Sequence, residues 1–475
     1  MGLLPSKGAA ALRRTFVIAI AALAMPLLTF YVATCLKGGP SGNHSSSDKP
    51  RPAGGDRGVG ESYVPEPPGW FAGDPHVHRG ILCARSDAKE MLTPEELLAG
   101  MKAQNLAVIS VLGDMGNGEV KQAEKDLILV NGEDHPVSTS QRIVHWDAEW
   151  HYDPAGVTFE QKAIGGHLIL LGLRHAEKIF AEYTYPVFAW AKKQNAIVGF
   201  AHLQYLRDDV PQNLDCCLPL EYPVEIALGT SAFLMEDVNG GDSAVQAYYR
   251  LLNCGFRPGL AAGTDYPCNN LEPFGTLLTY VAVGDRELSY RRWIKGIAEG
   301  RTVVSRNGHN EFLDLRVNET ALPGDDVRLN GKGTVRVRMV WFATRQLTGR
   351  IELVRNGIVV ASREGSASPD SPLVLETSQN FLRSGWLCAR RMDAKGHQSH
   401  TGAIFVTVNN APVRASVSDA EYFVRFIDNL LRKTSSGGEW AKFFPQDRKG
   451  ARSRYRKARG VFQRIAVEAK RQEQE

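Results

Sequence analysis

Two histidines one residue apart, His76 and His78, stand in Trp-Phe-Ala-Gly-Asp-Pro-His-Val-His at 70–78. Side chains at i and i+2 of an extended strand share a face, so two imidazoles can converge on one metal ion from a single strand end. Four more residues of ligand type follow in order. Glu133 comes after Leu-Ile-Leu-Val at 127–130, and His167 lies within Gly-Gly-His-Leu-Ile-Leu-Leu-Gly at 165–172. His202 follows Ile-Val-Gly-Phe-Ala at 197–201, and Asp265 follows Leu-Ala-Ala-Gly-Thr at 260–264. Any one of these alone reads as a cap, a turn former or a surface histidine. Six in succession, each beside an apolar strand, point to mixed imidazole and carboxylate ligation of a divalent transition metal.

The elements that must position them alternate between two kinds. Short apolar strands are expected at 106–112, 127–130, 168–173, 196–201, 224–227 and 260–262, with helical patterns between them. Thr93-Pro-Glu-Glu96 carries an N-cap Thr, a Pro at the first helical position and a Glu at the third, opening a helix through Lys102. Further helices are expected at 185–194 and 243–252. Alternating strands and helices favour an α/β barrel or an open parallel sheet, and α/β barrels carry their sites at the C-terminal strand ends. After about residue 310 the texture becomes period-2 strands separated by turn residues, which reads as a β-sandwich. From Ser418 the pattern is helical again.

Gly-Asp-Pro-His-Val-His at 73–78, Gly132-Glu133 with Gly-His-Leu-Ile-Leu-Leu-Gly at 166–172, Val-Gly-Phe-Ala-His at 198–202 and Ala-Gly-Thr-Asp at 262–265 resemble the ordered metal motifs of the PHP (polymerase and histidinol phosphatase) superfamily. Within it they are most similar to the CehA/McbA-like metallohydrolases. The resemblance spans roughly residues 69–308. It implies an α/β fold, a distorted (β/α)7 PHP-type barrel followed by a small β-sandwich and a C-terminal helical tail. It implies one metal site of His76, His78, Glu133 and Asp265, with Glu133 bridging to a second site completed by His167 and His202. One or two divalent metals, zinc, manganese or iron, would occupy them. Three positions depart from the pattern of three-metal relatives. No histidine occurs in 79–89, Met115 stands where a histidine is usual, and Asp-Tyr-Pro at 265–267 lacks a final histidine. All three losses fall on the third metal, so a reduced centre is expected. Asp114 remains able to contact it. His135, His145, His151 and His175 have no motif position, although His145 or His151 could approach substrate.

No GxSxG or comparable nucleophile motif occurs, so a metal-held water is the expected nucleophile, with Asp265 as the group accepting its proton. The expected reaction is hydrolysis of an ester-like bond in a small-molecule substrate: a carbamate, ester, amide or phosphoester. The alternative is a non-catalytic cell-surface binding module, in which the barrel is a scaffold and Trp341 and Trp386 line a sugar platform on the sandwich.

The ends of the 475-residue chain bear on location. Lys7, Arg13 and Arg14 precede an apolar run at 15–36, about the length needed to cross a membrane. The cationic flank places the body of the protein outside the cytoplasm, anchored in the membrane or secreted. The expected divisions are a signal or anchor segment at 1–36, a Gly/Pro/Ser-rich linker at 37–68, the metallohydrolase barrel at 69–308, the sandwich at 309–412 and a helical basic tail at 413–475. The net charge of +4 is concentrated in that tail, between Arg448 and Arg464. It reads as a solvated helix face, and no nucleic-acid partner is expected. The seven cysteines show no zinc-ribbon or CxxC spacing and are read as structural or incidental.

Overall fold

Strand β1 (Trp70–Val77) is the spine of the site-bearing half, paired in parallel with β2 (Val108–Asp114) and antiparallel with β8 (Leu278–Ala282). The computed structural model describes residues 64–79, 91–116, 122–151, 164–203, 206, 209–214, 217–236, 243–268, 272–284 and 286–474. The apolar run at 15–36, its cationic flank and nearly all of the expected linker lie outside the described residues. Among the described residues no helix is long and apolar enough to cross a membrane.

The fold is mixed α/β. From β2 the sheet continues through β3 (Ile143–His151), β4 (His167–Leu171), β5 (Ile197–Phe200), β6 (Phe233–Glu236) and β7 (Gly259–Ala262). On the other side of β8 lies β9 (Thr302–Ser305). Strand β4 runs antiparallel to both β3 and β5, whereas the β1–β2–β3 and β5–β6–β7 pairings are parallel. Strand β7, at the end of this sheet order, also touches β8 and β9. The Thr279 hydroxyl of β8 bonds the Ala262 carbonyl of β7 at 2.7 Å, and the Thr302 hydroxyl of β9 bonds the Leu260 carbonyl at 2.6 Å.

Helix α1 (Pro94–Ala103) starts as its residues dictate, with both halves of the Thr93–Glu96 capping box formed. Helices α3 (Tyr185–Lys193) and α5 (Ser243–Asn253) also fall where the periodicity places them. Two expected strands are helical instead. Residues 224–227 belong to α4 (Tyr222–Ala227), where Pro223 sits in the first turn, and the strand of that unit is β6, further on. Leu127 ends the short helix α2 (Glu124–Leu127), and Ile128 and Leu129 follow in a turn. The strand of that unit is β3, whose residues alternate Val144, Trp146, Ala148 and Trp150 on one face with His145, Asp147, Glu149 and His151 on the other. Helix α6 (Tyr290–Ala298) buries Tyr290, Trp293, Ile294 and Ile297 against strand residues including Ile143, Ile169, Leu171, Phe233 and Val281. Each such side chain contributes about 1.5–3 kcal/mol of apolar burial.

Beyond residue 310 the chain is all-β up to Val408. Strands β10 (Glu311–Val317), β12 (Gly333–Ala343) and β15 (Leu373–Phe381) form a separate three-stranded antiparallel sheet. Strands β11 (Asp326–Leu329), β13 (Leu347–Arg355), β14 (Ile358–Ala367), β16 (Gly385–Asp393), β17 (Gly396–Thr401) and β18 (Ile404–Val408) join the large sheet, because β17 pairs with β9. The two sheets meet at a buried ion pair between Glu311 and Arg391, with the Trp341 indole donating to Glu311 at 2.7 Å. Trp341 and Trp386 are fully buried and so cannot form the sugar platform considered above. Helices α7 (Val417–Lys433) and α8 (Arg448–Gln474) close the chain. They bury Phe423, Phe426 and Phe462 among their apolar residues, while Arg454 of α8 reaches Glu225 of α4 at 2.5 Å.

Candidate metal centre

Five strand ends meet at one edge of the sheet. His76 lies near the end of β1 and His78 just past it, and Glu149 is two residues from the end of β3. His167 opens β4. Because β4 is antiparallel, its first residue lies opposite His151 at the C-terminal end of β3. His202 follows β5 and Asp265 follows β7. All six side chains are buried.

Glu149 is the hub. Its Oε2 lies 3.1 Å from His78 Nε2 and 3.5 Å from His76 Nε2. Its Oε1 lies 2.7 Å from His167 Nδ1 and 3.5 Å from His202 Nε2. Asp265 Oδ1 closes the first group, 3.2 Å from His76 Nε2 and 3.3 Å from His78 Nε2. Ligand atoms of His76, His78, Glu149 and Asp265 all lie within 4.8 Å of one another, so this group could hold a metal ion. His167, His202 and Cys217 form a second such group. Cys217 is disulfide-bonded, which leaves Glu149 as the carboxylate partner of the two histidines.

Glu133, expected as the bridging ligand, does not join this centre. It sits exposed in the loop before β3, where Asn131 caps its backbone N–H at 2.9 Å. Glu149 stands between the two histidine pairs instead, because β3, not residues 127–130, is the strand beside β2. The signal was present in the alternation of apolar and His/Asp/Glu residues over 143–151, which is a strand pattern with four ligand-type side chains on one face. The other histidines divide. His151 Nε2 meets Asp114 Oδ2 at 2.6 Å and its ring stacks on His167 at 4.9 Å, so both residues belong to the rim of the centre. His145 lies lower on β3, His135 packs against Trp146, and His175 is exposed beside Trp190.

The backbone is shaped to hold these groups. Asp74 accepts from the backbone N–H groups of His76 and Thr264 at 3.1 Å, from the Thr264 hydroxyl at 2.6 Å and from the Gly275 N–H at 2.8 Å. It ties β1 to the loop after β7. Asp265 donates its N–H to the His76 carbonyl at 2.9 Å. A side chain at Gly263 would place its Cβ 2.6 Å from that of His76, so the approach requires glycine. His202 and Asp265 adopt left-handed backbone conformations, φ +61° and +50°. Non-glycine residues hold such conformations at a cost of about 1–3 kcal/mol, typically where function demands it. His78 Nδ1 lies 3.1 Å from the Leu112 carbonyl; donating there fixes the tautomer and turns the Nε2 lone pair to the centre.

Burial opposes ionisation of Glu149, but the surrounding imidazoles, His167 and His76 foremost, hold it well below the usual carboxylate range. Burial likewise opposes charge on His78, yet Asp265 and Glu149 outweigh it and lift its pKa to about 9. For His167 burial prevails over the pull of Glu149 and lowers the pKa to about 4. The ionised Glu149 beside the neutral His167 matches the protonation state that metal ligation needs, whereas His78 must first lose its proton.

No protein-family model matches the chain, and no curated protein matches it. Among solved structures, the CARDB domain of a Pyrococcus furiosus protein aligns at 13% identity over 22% of this chain and 98% of its own, with a TM-score of 0.16. A crystal structure of that domain in complex with di-metal ions aligns at 14% identity over 21% of this chain and 94% of its own, with a TM-score of 0.15. The soluble domain of PmoD from a Methylocystis species aligns at 10% identity over 21% and 93%, also with a TM-score of 0.15.

Proposed function

We propose that this chain is an exported, metal-dependent hydrolase of the PHP superfamily, acting on an ester-like bond through a water nucleophile. The observation that carries the reading is Glu149, whose two carboxylate oxygens face two separate histidine pairs, His76 with His78 and His167 with His202. A carboxylate so placed can bridge two cations. The donor set fits: imidazole nitrogens and carboxylate oxygens suit zinc, manganese or iron.

When bound, one or two such ions would lower the pKa of a water from about 15.7 toward 7 and polarise the scissile carbonyl or phosphoryl oxygen. The chain's own residues do the rest. Asp265 presents one oxygen to His76 and His78, and its carboxylate is our candidate to take the proton from the attacking water. Asp114 holds His151 beside His167, within reach of a substrate bound at the centre. Return of β7 to β8 and β9 through Thr279 and Thr302 supports reading this half as a distorted (β/α)7 barrel. Oxidation of Cys217 and Cys268 supports export, since disulfides persist in oxidising compartments.

The test is metal analysis of the purified protein, followed by assays on p-nitrophenyl phosphate, acetate and carbamate with added manganese or zinc. We expect at least one equivalent of transition metal, lost in Glu149→Ala, and metal-dependent turnover of at least one substrate class. Protein that carries no metal, or keeps it in Glu149→Ala, would instead favour the binding-module reading.

A further inference from the structure

Glu133 does not reach the metal centre, but it lies at another concavity. A pocket of about 430 Å³ opens beside His145 on β3, the Gly172 turn after β4, Gln194 after α3 and the first turn of α6. Its volume is in the range of small-molecule sites. His145 and Glu149 are four positions apart on β3, about 13 Å at strand rise, so the pocket is distinct from the metal centre.

Its lining offers several donors that no acceptor of the chain takes up. Gln194 is buried, and its Oε1 accepts from the backbone N–H groups of Arg174 at 2.9 Å and His175 at 3.0 Å. That fixes the amide orientation and leaves its Nε2, a donor only, with no hydrogen-bond partner. Arg174 and Arg291 also line the pocket, both exposed and neither paired with a carboxylate among the described residues. Arg174 spends one N–H on the Lys193 carbonyl, at 3.1 Å. Gly172 makes room for the other guanidinium, since a Cβ there would lie 3.0 Å from Arg291 Nη1. Helix α6 starts at this point. Ser289 caps the Arg292 N–H, which leaves the N–H groups of Tyr290 and Arg291 without intrahelical acceptors at the positive end of the helix dipole.

Two carboxylates line the same pocket. Asp134 is committed to His145 Nδ1 at 2.9 Å, and Glu133 is exposed. His145 is itself buried, stacked on Tyr290 at 3.7 Å, and its Nε2 has no hydrogen-bond partner. With Nδ1–H given to Asp134, Nε2 can accept from the O–H of a monohydrogen anion.

We infer that this pocket is a binding site for a small oxyanion, a phosphate or a carboxylate, held by Arg174, Arg291, Gln194 and the N-terminus of α6. Hydrogen bonds to charged groups are each worth about 1.5–3 kcal/mol, so losing one arginine should weaken binding by about ten- to hundredfold. The experiment is isothermal titration of the full chain, stripped of metal by chelation, with inorganic phosphate in one arm and acetate in the other. Chelation removes the competing attraction of a loaded metal centre. We expect saturable binding of at least one anion, weakened by that factor in Arg291→Ala and in Arg174→Ala. Both side chains are exposed, so neither substitution empties the core. Gln194→Leu tests the buried donor and should also weaken binding. Absence of binding by either anion, binding seen only before chelation, or affinities unchanged in all three variants would each overturn the inference. The metal content of the variants tests the hydrolase reading separately and is expected to be unaltered.

Discussion

The Oε2 of Glu149 lies 3.1 Å from Nε2 of His78, although 71 residues separate them, and its Oε1 lies 2.7 Å from His167 on the opposite side. The parallel β1–β2–β3 run and the reversed β4 bring these groups to one edge.

Replacing Glu149 by alanine should remove the shared carboxylate from both histidine pairs. Loss of an outer partner typically costs ten- to hundredfold in metal affinity, so loss of this ligand should cost at least about a hundredfold. Glu133→Ala should keep wild-type metal content. Elemental analysis of the two purified variants checks both, and metal loss in Glu133→Ala would return the bridging role to that residue.

Metal uptake should strengthen with pH. A histidine ligates in its neutral form, and the neighbouring carboxylates lift the pKa of His78 to about 9. Below that pH each bound ion must displace this proton, so affinity should rise by about tenfold per pH unit when one proton is released. Competitive chelator titration between about pH 6.5 and 8.5 measures the slope. A flat profile would mean that His78 is already neutral and that its carboxylate neighbours do not hold its proton.

Glu221 predicts a different pH dependence, one of stability. Burial foremost raises its pKa from 4.5 to about 7, despite hydrogen bonds from Tyr455 and Thr184. A carboxyl that binds its proton more tightly when folded contributes stability below pH 4.5, and this is lost as pH rises toward 7. Across that window the loss is on the order of 3 kcal/mol, at about 1.36 kcal/mol per pH unit. Urea denaturation at a series of pH values should show a shallower decline for Glu221→Gln than for wild type. Parallel profiles would refute the assignment.

Arg391→Met should destabilise strongly. It leaves Glu311, fully buried, without its cation. Breaking a buried pair by removing one partner costs about 3–5 kcal/mol, whereas replacing both by apolar groups is often near neutral. Urea midpoints should therefore fall for the single variant and largely recover in Arg391→Met with Glu311→Leu. A single-variant cost below about 1 kcal/mol would place the pair with exposed ones.

Much of the centre was legible because five of its six side chains sit where short-range rules apply. His76 and His78 follow from the two-residue period of a strand, and His202 and Asp265 from apolar runs that end abruptly. Glu149 is hidden in the sequence for a physical reason. Leu-Ile-Leu-Val at 127–130 has the composition of a buried strand, but it is covered from one side only and forms the end of a helix and a turn. Composition does not distinguish the two in so short a run. The reversed direction of β4 was equally hidden, because strand direction is set by long-range pairing. Residues 224–227 carry the same ambiguity as 127–130, with the Pro223 helix-start signal set against the β-branched Val224 and Ile226. Beyond 310 the alternation was clear, apart from the short β11 and the polar β17, whose Gly-His-Gln-Ser-His-Thr sequence has no apolar side chain.

That polar strand has a larger consequence. By pairing with β9 through Ser399, His400 and Thr401, β17 makes one continuous hydrogen-bonded sheet of two regions with different texture. Glu236 reinforces the seam, bonding Arg306 at 2.5 Å beside His397. The later region is therefore no detachable cassette. Cutting the chain near residue 310 would leave β9 paired with β8 alone and open its other edge to other chains. Swapping this β region between proteins, whether by recombination or in the laboratory, would have to carry a matching β9 with it.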